Sequence, residues 1–138
     1  LGGDLDCYHS FDIDYLQVLP KLFDLHVGNF YLQLAGESNR HRVLACIQTY
    51  MKPWHHIFIG VINPINPIVE TPEQVCVQVL EAAEYIPVEQ LGTTDDCGYS
   101  PFDDDQSTSR KIAFDKIQAR VLGTRMAEEQ LMRNLKRI

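Results

Sequence analysis

The residues best suited to chemistry lie in one short stretch, LGTTDDCGYSPF, at positions 91–102. Two adjacent carboxylates, Asp95 and Asp96, precede Cys97, and an aromatic residue, Tyr99, follows after one glycine. A cysteine in this setting is a candidate metal ligand, nucleophile or redox centre, because its thiolate form is reactive and binds metals. A free cysteine is also a common buried residue that packs as a small hydrophobe. The elements that position Cys97 decide between these roles.

Hydrophobic periodicity places Cys97 at the end of the last strand in an alternating series of helices and strands. Apolar residues recur at helical spacing in four segments, and three shorter apolar runs between them are typical of strands. The third helix has a clear start, with Thr71 as N-cap, Pro72 in the first turn and Gln74 completing a capping box. The predicted helices are 15–23, 38–51, 71–86 and from about 109 onward, and the predicted strands are 29–35, 55–63 and 91–98. The last helix carries Ala113, Ile117 and Val121 at spacings of four.

Strands that alternate with helices imply a parallel sheet with right-handed crossovers. The opening LGGDL is interpreted as the end of one more strand, which brings the series to about four βα units. We therefore predict an α/β fold that makes half of a (β/α)8 barrel, in which chemistry lies at the C-terminal ends of the strands. The polar residues predicted to share that rim are Asp4, Gln33, Glu37, Asn63, Asp95, Asp96 and Cys97.

Three other titratable residues receive structural interpretations. Glu70 lies directly before the third helix, where its negative charge would stabilise the helix N-terminus. His55 and His56 resemble a metal-binding pair, but neighbouring residues of a strand point to opposite faces of the sheet. We expect both histidines to mark only the start of the second strand, at the end away from Cys97.

Composition excludes several classes of function. The chain has 138 residues, enough for one domain with a hydrophobic core. Its formal net charge of −7 argues against nucleic acid as a partner, because phosphate binding requires a basic surface. No apolar run reaches the length of a membrane span. The four cysteines form no Cys-x-x-Cys pair, which suits a reducing compartment, and we expect a cytoplasmic protein that contacts no membrane.

Three segments of the chain together resemble a known family. They are LFDLHVGNFYLQL, IGVINPINPIVETPEQV and EYIPVEQLGTTDDCGYSP. They are similar to the C-terminal catalytic barrel of cobalamin-independent methionine synthase and its shorter relatives, which include proteins similar to epoxyalkane:coenzyme M transferase. The most specific feature is DCG followed by an aromatic residue. The resemblance implies that residues 1–138 are the C-terminal half of a (β/α)8 catalytic domain from a longer chain.

The resemblance also implies a zinc-dependent transferase of methionine biosynthesis. Such an enzyme holds a small-molecule thiol as thiolate and moves a methyl or other alkyl group onto it from a donor, as 5-methyltetrahydropteroyltriglutamate–homocysteine methyltransferase does. Cys97 matches the last zinc ligand of the family. Gln33 falls where a Glu ligand usually lies, and a neutral amide is a poor zinc ligand. Gln33, Asp96 and Tyr99 are candidate substrate-binding residues.

Two further ligands of the family, in a His-x-Cys motif, have two possible positions. The family continues from that motif into Gly and Asn or Asp, which LGGD fits, so the motif would lie just before Leu1. Alternatively, CYH supplies Cys7 and His9 as ligands. We favour the first alternative, because LGGDLD is too polar and too rich in glycine for the end of a buried barrel strand.

Half of a barrel would expose two strand edges, which are prone to pair with other chains. We therefore expect the missing N-terminal half-barrel, or self-association, to complete the structure, and we expect little activity from this half alone. An epoxide:thiol transferase and a non-catalytic half-barrel that serves as an interaction module are alternative functions. A thiol-redox protein that pairs Cys97 with Cys7 is a further alternative, although no second cysteine is close in sequence.

Overall fold

The structure, a computed structural model, describes residues 14–99 and 108–135. Helices and strands alternate within these ranges, in the order that the sequence predicts. The strand end predicted at residues 1–5 lies outside the described residues. The elements are α1 (Tyr15–Leu22), β1 (Asn29–Leu32), α2 (Arg40–Tyr50), β2 (His56–Ile62), α3 (Pro72–Ala83), β3 (Leu91–Asp95) and α4 (Arg110–Leu135). None of the helices in these ranges is long and apolar enough to cross a membrane.

The strands form a three-stranded parallel sheet in the order β1-β2-β3, with β2 in the centre. Phe30 of β1 pairs with Ile57 of β2, which pairs in turn with Leu91 of β3. The pairing of β2 with β3 shifts between Gly60 and Ile62, near the C-terminal edge of the sheet. The α/β class with parallel strands, predicted from the alternation of patterns, is therefore confirmed.

The helices pack against one face of the sheet. Alternate strand residues fill this side of the core, because successive side chains of a strand point to opposite faces. In β2 the run 59–62 is buried throughout, as its almost continuous apolar sequence predicts. The buried strand residues on or next to this face are Phe30, Leu32, Ile57, Ile59, Val61 and Ile62.

The opposite face, which we call the inner face, carries a pair of aromatic rings. Tyr31 stacks on Phe58, with ring centroids 4.5 Å apart and planes 8° from parallel. The Phe58 ring lies over Gly92, since a Cβ atom there would come within 2.4 Å of Phe58 Cδ1. Tyr31 is 65% exposed within the described structure. The inner face thus presents a flat aromatic surface that no described helix covers.

Local signals account for the helix starts. Thr71 Oγ1 accepts a hydrogen bond from the Gln74 amide at 3.2 Å, and Gln74 Oε1 accepts one from the Thr71 amide at 2.9 Å. This reciprocal pair is the predicted capping box. Asn39 caps α2, and its Oδ1 accepts from the Arg42 amide at 3.1 Å.

Small residues and one lysine, rather than large apolar side chains, line the buried face of α4. Val121, on one row with Ala113 and Ile117, is 41% exposed. A Cβ atom on Gly123 would come within 2.5 Å of the Pro72 carbonyl oxygen, so α4 approaches the start of α3 more closely than a larger residue would permit. The buried positions of α4 are Lys116, Ala119, Gly123 and Ala127.

His55 lies at the N-terminal edge of the sheet and is fully buried, whereas His56 is exposed, as the alternation predicts. His55 Nδ1 accepts a hydrogen bond from the Lys52 amide at 3.1 Å. Its ring packs against Phe30 at a centroid distance of 4.8 Å. Burial lowers the pKa of His55, and the positive charge of Lys52 lowers it further. His55 is therefore a neutral core residue.

We expect His55 to make the free energy of unfolding decrease as the pH is lowered. The unfolded chain takes up a proton near the ordinary histidine pKa of about 6.5, whereas the folded chain excludes it. The free energy of unfolding should therefore decrease as the pH falls from about 6.5 to the lowered pKa of the folded state. Urea unfolding between about pH 5 and pH 8 measures this slope, and His55→Gln should reduce it. The matched variant His56→Gln, at the exposed neighbour, should keep the wild-type slope. An unchanged slope in His55→Gln would show that His55 does not cause it.

Candidate functional site

Cys97 follows β3 at the C-terminal edge of the sheet and is half-buried. The Asp96 amide donates a hydrogen bond of 2.9 Å to the Ile62 carbonyl at the end of β2. Gln33 and Asn63 directly follow β1 and β2, so the polar residues after all three described strands lie along one edge. Asp4, predicted on the same rim, is outside the described residues.

The Asp96 carboxylate binds backbone amides of the loop after β1. Its Oδ1 accepts hydrogen bonds from the Leu34 and Ala35 amides at 2.8 and 2.9 Å. Its Oδ2 accepts from the Gly36 amide at 2.9 Å. Hydrogen bonds to an ionised carboxylate are stronger than those between neutral groups. We call this set of three bonds the carboxylate bridge, and it joins the ends of β1 and β3 across β2.

Gly60 leaves the space that the carboxylate bridge needs. A Cβ atom at this position of β2 would lie 1.7 Å from Asp96 Oδ1 and 3.0 Å from the Leu34 amide nitrogen. A glycine inside a strand often marks a close approach of other atoms, because it has no side chain to block them. The side chain of Asp96 therefore crosses the sheet only because position 60 is glycine.

Gln33 is half-buried directly before the bridged loop. Its backbone lies beside the Tyr15 hydroxyl at the start of α1. Burial raises the pKa of Tyr15 to about 12, and the negative charges of Asp96 and Glu37 contribute to the rise. Tyr15 is thus a neutral hydroxyl at the rim. Tyr15 lies in the first turn of α1, within a segment that the sequence predicts as a helix, and no motif singled it out.

Asp95 points away from Asp96 and toward α4. Its Oδ1 lies 3.0 Å from Arg120 Nε. Burial raises the pKa of Asp95, while the Arg120 charge opposes the rise. The buried hydroxyl of Tyr99 lies beside Asp95, and burial together with the Asp95 charge raises the pKa of Tyr99. Asp95 and Tyr99 therefore hold the chain on both sides of Cys97.

The predicted substrate roles of Gln33, Asp96 and Tyr99 stay predictions. The structure assigns other contacts to two of them. Both oxygens of Asp96 accept backbone hydrogen bonds, and Tyr99 packs against the hydrophobic core. Each contact stabilises the local chain whether or not a substrate is present.

A buried lysine organises the loop between β2 and α3. Lys116 is fully buried, and its Nζ donates to the Asn63 carbonyl at 3.1 Å and the Ile68 carbonyl at 2.7 Å. Its third partner is Glu70 Oε2 at 2.7 Å. Glu70 Oε1 in turn accepts from the Asn63 amide at 2.9 Å. One ammonium and one carboxylate thus hold both ends of the 63–70 loop.

These contacts correct the interpretation of Glu70. It was expected to act as an electrostatic cap of α3, but its carboxylate binds Lys116 and the Asn63 amide instead. Lys116 was not singled out from the sequence at all. The available signal was its place on one face of α4 with Ala119, Gly123 and Ala127, a small-residue row that permits close packing and so buries the lysine.

An open groove of about 690 Å³ adjoins this loop. Several of its polar side chains already have partners within the protein. Gln78 Nε2 donates to the Val61 carbonyl at 3.2 Å, and Asn66 Oδ1 accepts from the Ile68 amide at 3.0 Å. The groove therefore offers few uncommitted polar groups, and we assign it no ligand.

The described residues carry at most part of a zinc site. Within 14–99 and 108–135, no group of three His, Cys, Asp or Glu residues is arranged to hold a metal ion. Cys97 offers a thiolate, a donor that zinc prefers, whereas Gln33 offers only a neutral amide. Cys7 and His9, the alternative ligands, lie outside the described residues. Cys97 thus fits a zinc site as one ligand, and the others would have to come from elsewhere.

Comparison with known proteins identifies relatives along most of the chain. The methionine synthase of Thermococcus kodakarensis is 30% identical over 129 residues, which are 92% of this chain and 34% of that protein. The methionine synthase of Sulfurisphaera tokodaii is 35% identical over 125 residues, 91% of this chain and 32% of that protein. That of Saccharolobus islandicus strain Y.G.57.14 is 36% identical over 120 residues, 87% of this chain and 33% of that protein. The chain therefore spans about a third of the length of these relatives.

A solved structure shares the fold. It is a B12-independent methionine synthase from Shewanella sp. W3-18-1 in complex with selenomethionine, with a TM-score of 0.71 and 20% sequence identity. The match covers 86% of this chain and 31% of that chain. At this identity the likeness concerns the fold alone, and it is consistent with the predicted half of a (β/α)8 barrel, of which the described residues contain three strands. No family model matches the chain.

The pairing of Lys116 with Glu70 can be tested by a double-mutant cycle. Lys116→Met should lower the free energy of unfolding by about 3 kcal/mol, because it leaves the half-buried Glu70 carboxylate without its cation. Glu70→Gln should be destabilising for the converse reason. The double variant should lose less than the sum of the two single losses, since neither charge is then left unpaired. Urea unfolding of the four proteins measures the coupling. Additive losses would show that the two charges do not stabilise each other.

Proposed function

We propose that this chain, which belongs to the methionine synthase family, is part of a cobalamin-independent, zinc-dependent enzyme that transfers a methyl group to a thiol. The supporting observation is the place of Cys97, the residue that matches the family's last zinc ligand, at the C-terminal edge of the parallel sheet. Active sites of barrels lie at this edge. The substrates would be a small thiol such as homocysteine and a folate-type methyl donor.

In this proposal Cys97 is one zinc ligand. Zinc, when bound, supplies a positive charge that keeps a substrate thiol deprotonated at neutral pH, and the thiolate is the reactive form. The new sulfur–carbon bond forms as the bond between the methyl carbon and its donor breaks, and the demethylated donor takes up a proton. Gln33 would border the site as a neutral hydrogen-bonding group.

The other residues of this edge hold the site in place. The carboxylate bridge ties the loop after β1 to the chain entering Cys97. Asp95, with Arg120 and Tyr99 beside it, anchors the same chain to α4 on the other face of the sheet. The Lys116–Glu70 pair fixes the loop after β2. Three loops of the rim are therefore stabilised by charged groups of this chain itself.

The remaining zinc ligands would come from a His-x-Cys motif preceding Leu1, or from Cys7 and His9. Gln33, in place of the family's usual Glu, is the observation that favours a different reaction. An epoxide in place of the methyl donor is the alternative on this ground, and loss of catalysis, leaving an interaction module, is another. Both alternatives keep the same fold and the same contacts of Asp96 and Lys116.

A second part of the proposal concerns the partner. The described sheet ends at β1 on one side and β3 on the other, each paired with β2 alone. The inner face exposes Tyr31, stacked on Phe58. Strand edges and an apolar face of this kind are normally covered. We propose that an N-terminal half-barrel of the parent protein covers them, with self-association as the alternative, and that the half described here has little activity alone.

The zinc proposal predicts a specific loss of metal. In the complete protein that carries this sequence, we expect about one zinc ion per protein chain. Cys97→Ser should remove it or weaken its binding strongly, because serine does not replace a thiolate donor. Cys76→Ser, at a buried cysteine of α3, is the control and should retain zinc. Atomic-emission analysis of the three purified proteins measures the content. Equal zinc in the Cys97→Ser and wild-type proteins would rule out Cys97 as a ligand.

The partner proposal predicts that Tyr31 is buried in the complete protein. Tyr31→Ser should then lower the free energy of unfolding by about 3 kcal/mol, as truncation of a packed aromatic residue does. Phe114→Ser is the control, because Phe114 is an aromatic residue on α4 with 59% exposure. Its loss should stay within about 1 kcal/mol. Similar small losses in the two variants, measured by urea unfolding, would show that nothing covers the inner face.

A further inference from the structure

We propose that Asp96 is a positioning residue for Cys97, and that Gly60 is its necessary counterpart in the neighbouring strand. The inference rests on the proposed function, in which Cys97 is a zinc ligand. It assigns to Asp96 a role in holding the geometry of the site rather than in binding substrate. Three observations carry it: the two-sided attachment of Asp96, the space at Gly60, and the order of the strands.

Asp96 is attached to the protein through both its backbone and its side chain. Its amide donates to the Ile62 carbonyl at 2.9 Å. Its carboxylate accepts three amide hydrogen bonds at 2.8–2.9 Å from residues 34–36. Attachment at both points fixes the backbone of Asp96 and the direction of its side chain. Because Cys97 is the next residue, the point at which its backbone leaves the sheet is constrained at the same time.

The carboxylate reaches residues 34–36 by passing over Gly60. Since a Cβ atom there would lie 1.7 Å from Asp96 Oδ1, an alanine at position 60 and the observed carboxylate position exclude each other. The obstacle is a carboxylate held by three amides, not the end of a flexible side chain. A substitution at Gly60 would therefore displace the bridge without removing its charge.

The strand order explains why the carboxylate bridge matters for the site. β1 and β3 are not neighbours, because β2 lies between them. No backbone ladder can set their ends relative to each other directly. The bridge makes that connection between residues 34–36, which directly follow Gln33, and Asp96, which directly precedes Cys97. Gln33 and Cys97, two of the candidate site residues, are thus held in a common frame by one side chain.

Two variants test this role, with one control, in the complete protein. Asp96→Glu keeps the charge but lengthens the side chain, and Gly60→Ala keeps Asp96 but occupies its space. Ile59→Val is the control, because Ile59 is a fully buried neighbour in the same strand that takes no part in the bridge. Zinc affinity is measured by competition with a chromophoric chelator. The rate at which iodoacetamide alkylates Cys97 in metal-free protein is measured by mass spectrometry.

We expect Asp96→Glu and Gly60→Ala each to weaken zinc binding by about 10- to 100-fold, the usual effect of losing a group that orients a ligand. Both should also change the alkylation rate of Cys97 in the same direction, because both move the thiol. Ile59→Val should leave both quantities unchanged. Asp96→Asn removes the charge and completes the set. If Gly60→Ala does not fold, Asp96→Glu alone decides the positioning role.

The outcomes separate this inference from the proposed function. If Asp96→Glu and Gly60→Ala match Ile59→Val while Cys97→Ser loses zinc, the positioning role is overturned and the zinc proposal stands. If only Asp96→Asn has an effect, Asp96 acts through its charge and the positioning role is again overturned. If the wild-type protein binds no zinc through Cys97, the proposed function fails, and the alkylation rates alone decide whether Asp96 positions the thiol.

Discussion

The arrangement of the C-terminal edge depends on one carboxylate that accepts three backbone hydrogen bonds. A parallel ladder sets each strand against its immediate neighbours only, so the ends of β1 and β3 have no direct relation through the sheet. Asp96 supplies that relation, because Gly60 lets its side chain cross the central strand. Hydrogen bonds to an ionised acceptor in a partly buried place are strong enough to hold a loop.

A second charged group, the ammonium of Lys116, holds the neighbouring loop after β2. The ammonium of Lys116 has three oxygen partners, and Glu70 neutralises its charge, so its burial leaves no unpaired ion. Buried ion pairs contribute little net stability compared with apolar side chains, but they permit few alternative arrangements. The small residues of α4 make this possible, since close contact at Gly123 brings the helix onto α3 and covers the lysine.

Local signals in the sequence predicted the helices and strands. Contacts between residues far apart in the sequence were not predicted. The capping box at Thr71 and the apolar run of β2 depend on residues a few positions apart, and both were correctly interpreted. The carboxylate bridge joins Asp96 to residues that lie 60 to 62 positions earlier in the chain. No hydrophobic periodicity indicates such a distant pairing. Gly60 was the one clue, because a glycine inside a strand pattern indicates a close approach.

Only part of the candidate site could be predicted from the sequence. The DCG stretch with its aromatic neighbour singled out Cys97, and the strand pattern placed it correctly at the edge of the sheet. Lys116 was missed because a lysine among helix residues normally indicates a solvated face. Asp95 was missed as a partner of Arg120 because the two lie on elements separated by the loop that contains Cys97. Cys7 and His9 lie outside the described residues.

The position of Lys116 in the chain has a consequence for the order of folding. Its three partners in the 63–70 loop precede it by 53, 48 and 46 residues. During synthesis, β2 and α3 therefore leave the ribosome well before the cation that holds their connection. The loop can reach its final shape only after α4 has been made and has folded back onto α3. A translational pause before α4 would accordingly prolong a state in which the 63–70 loop lacks the cation that holds it.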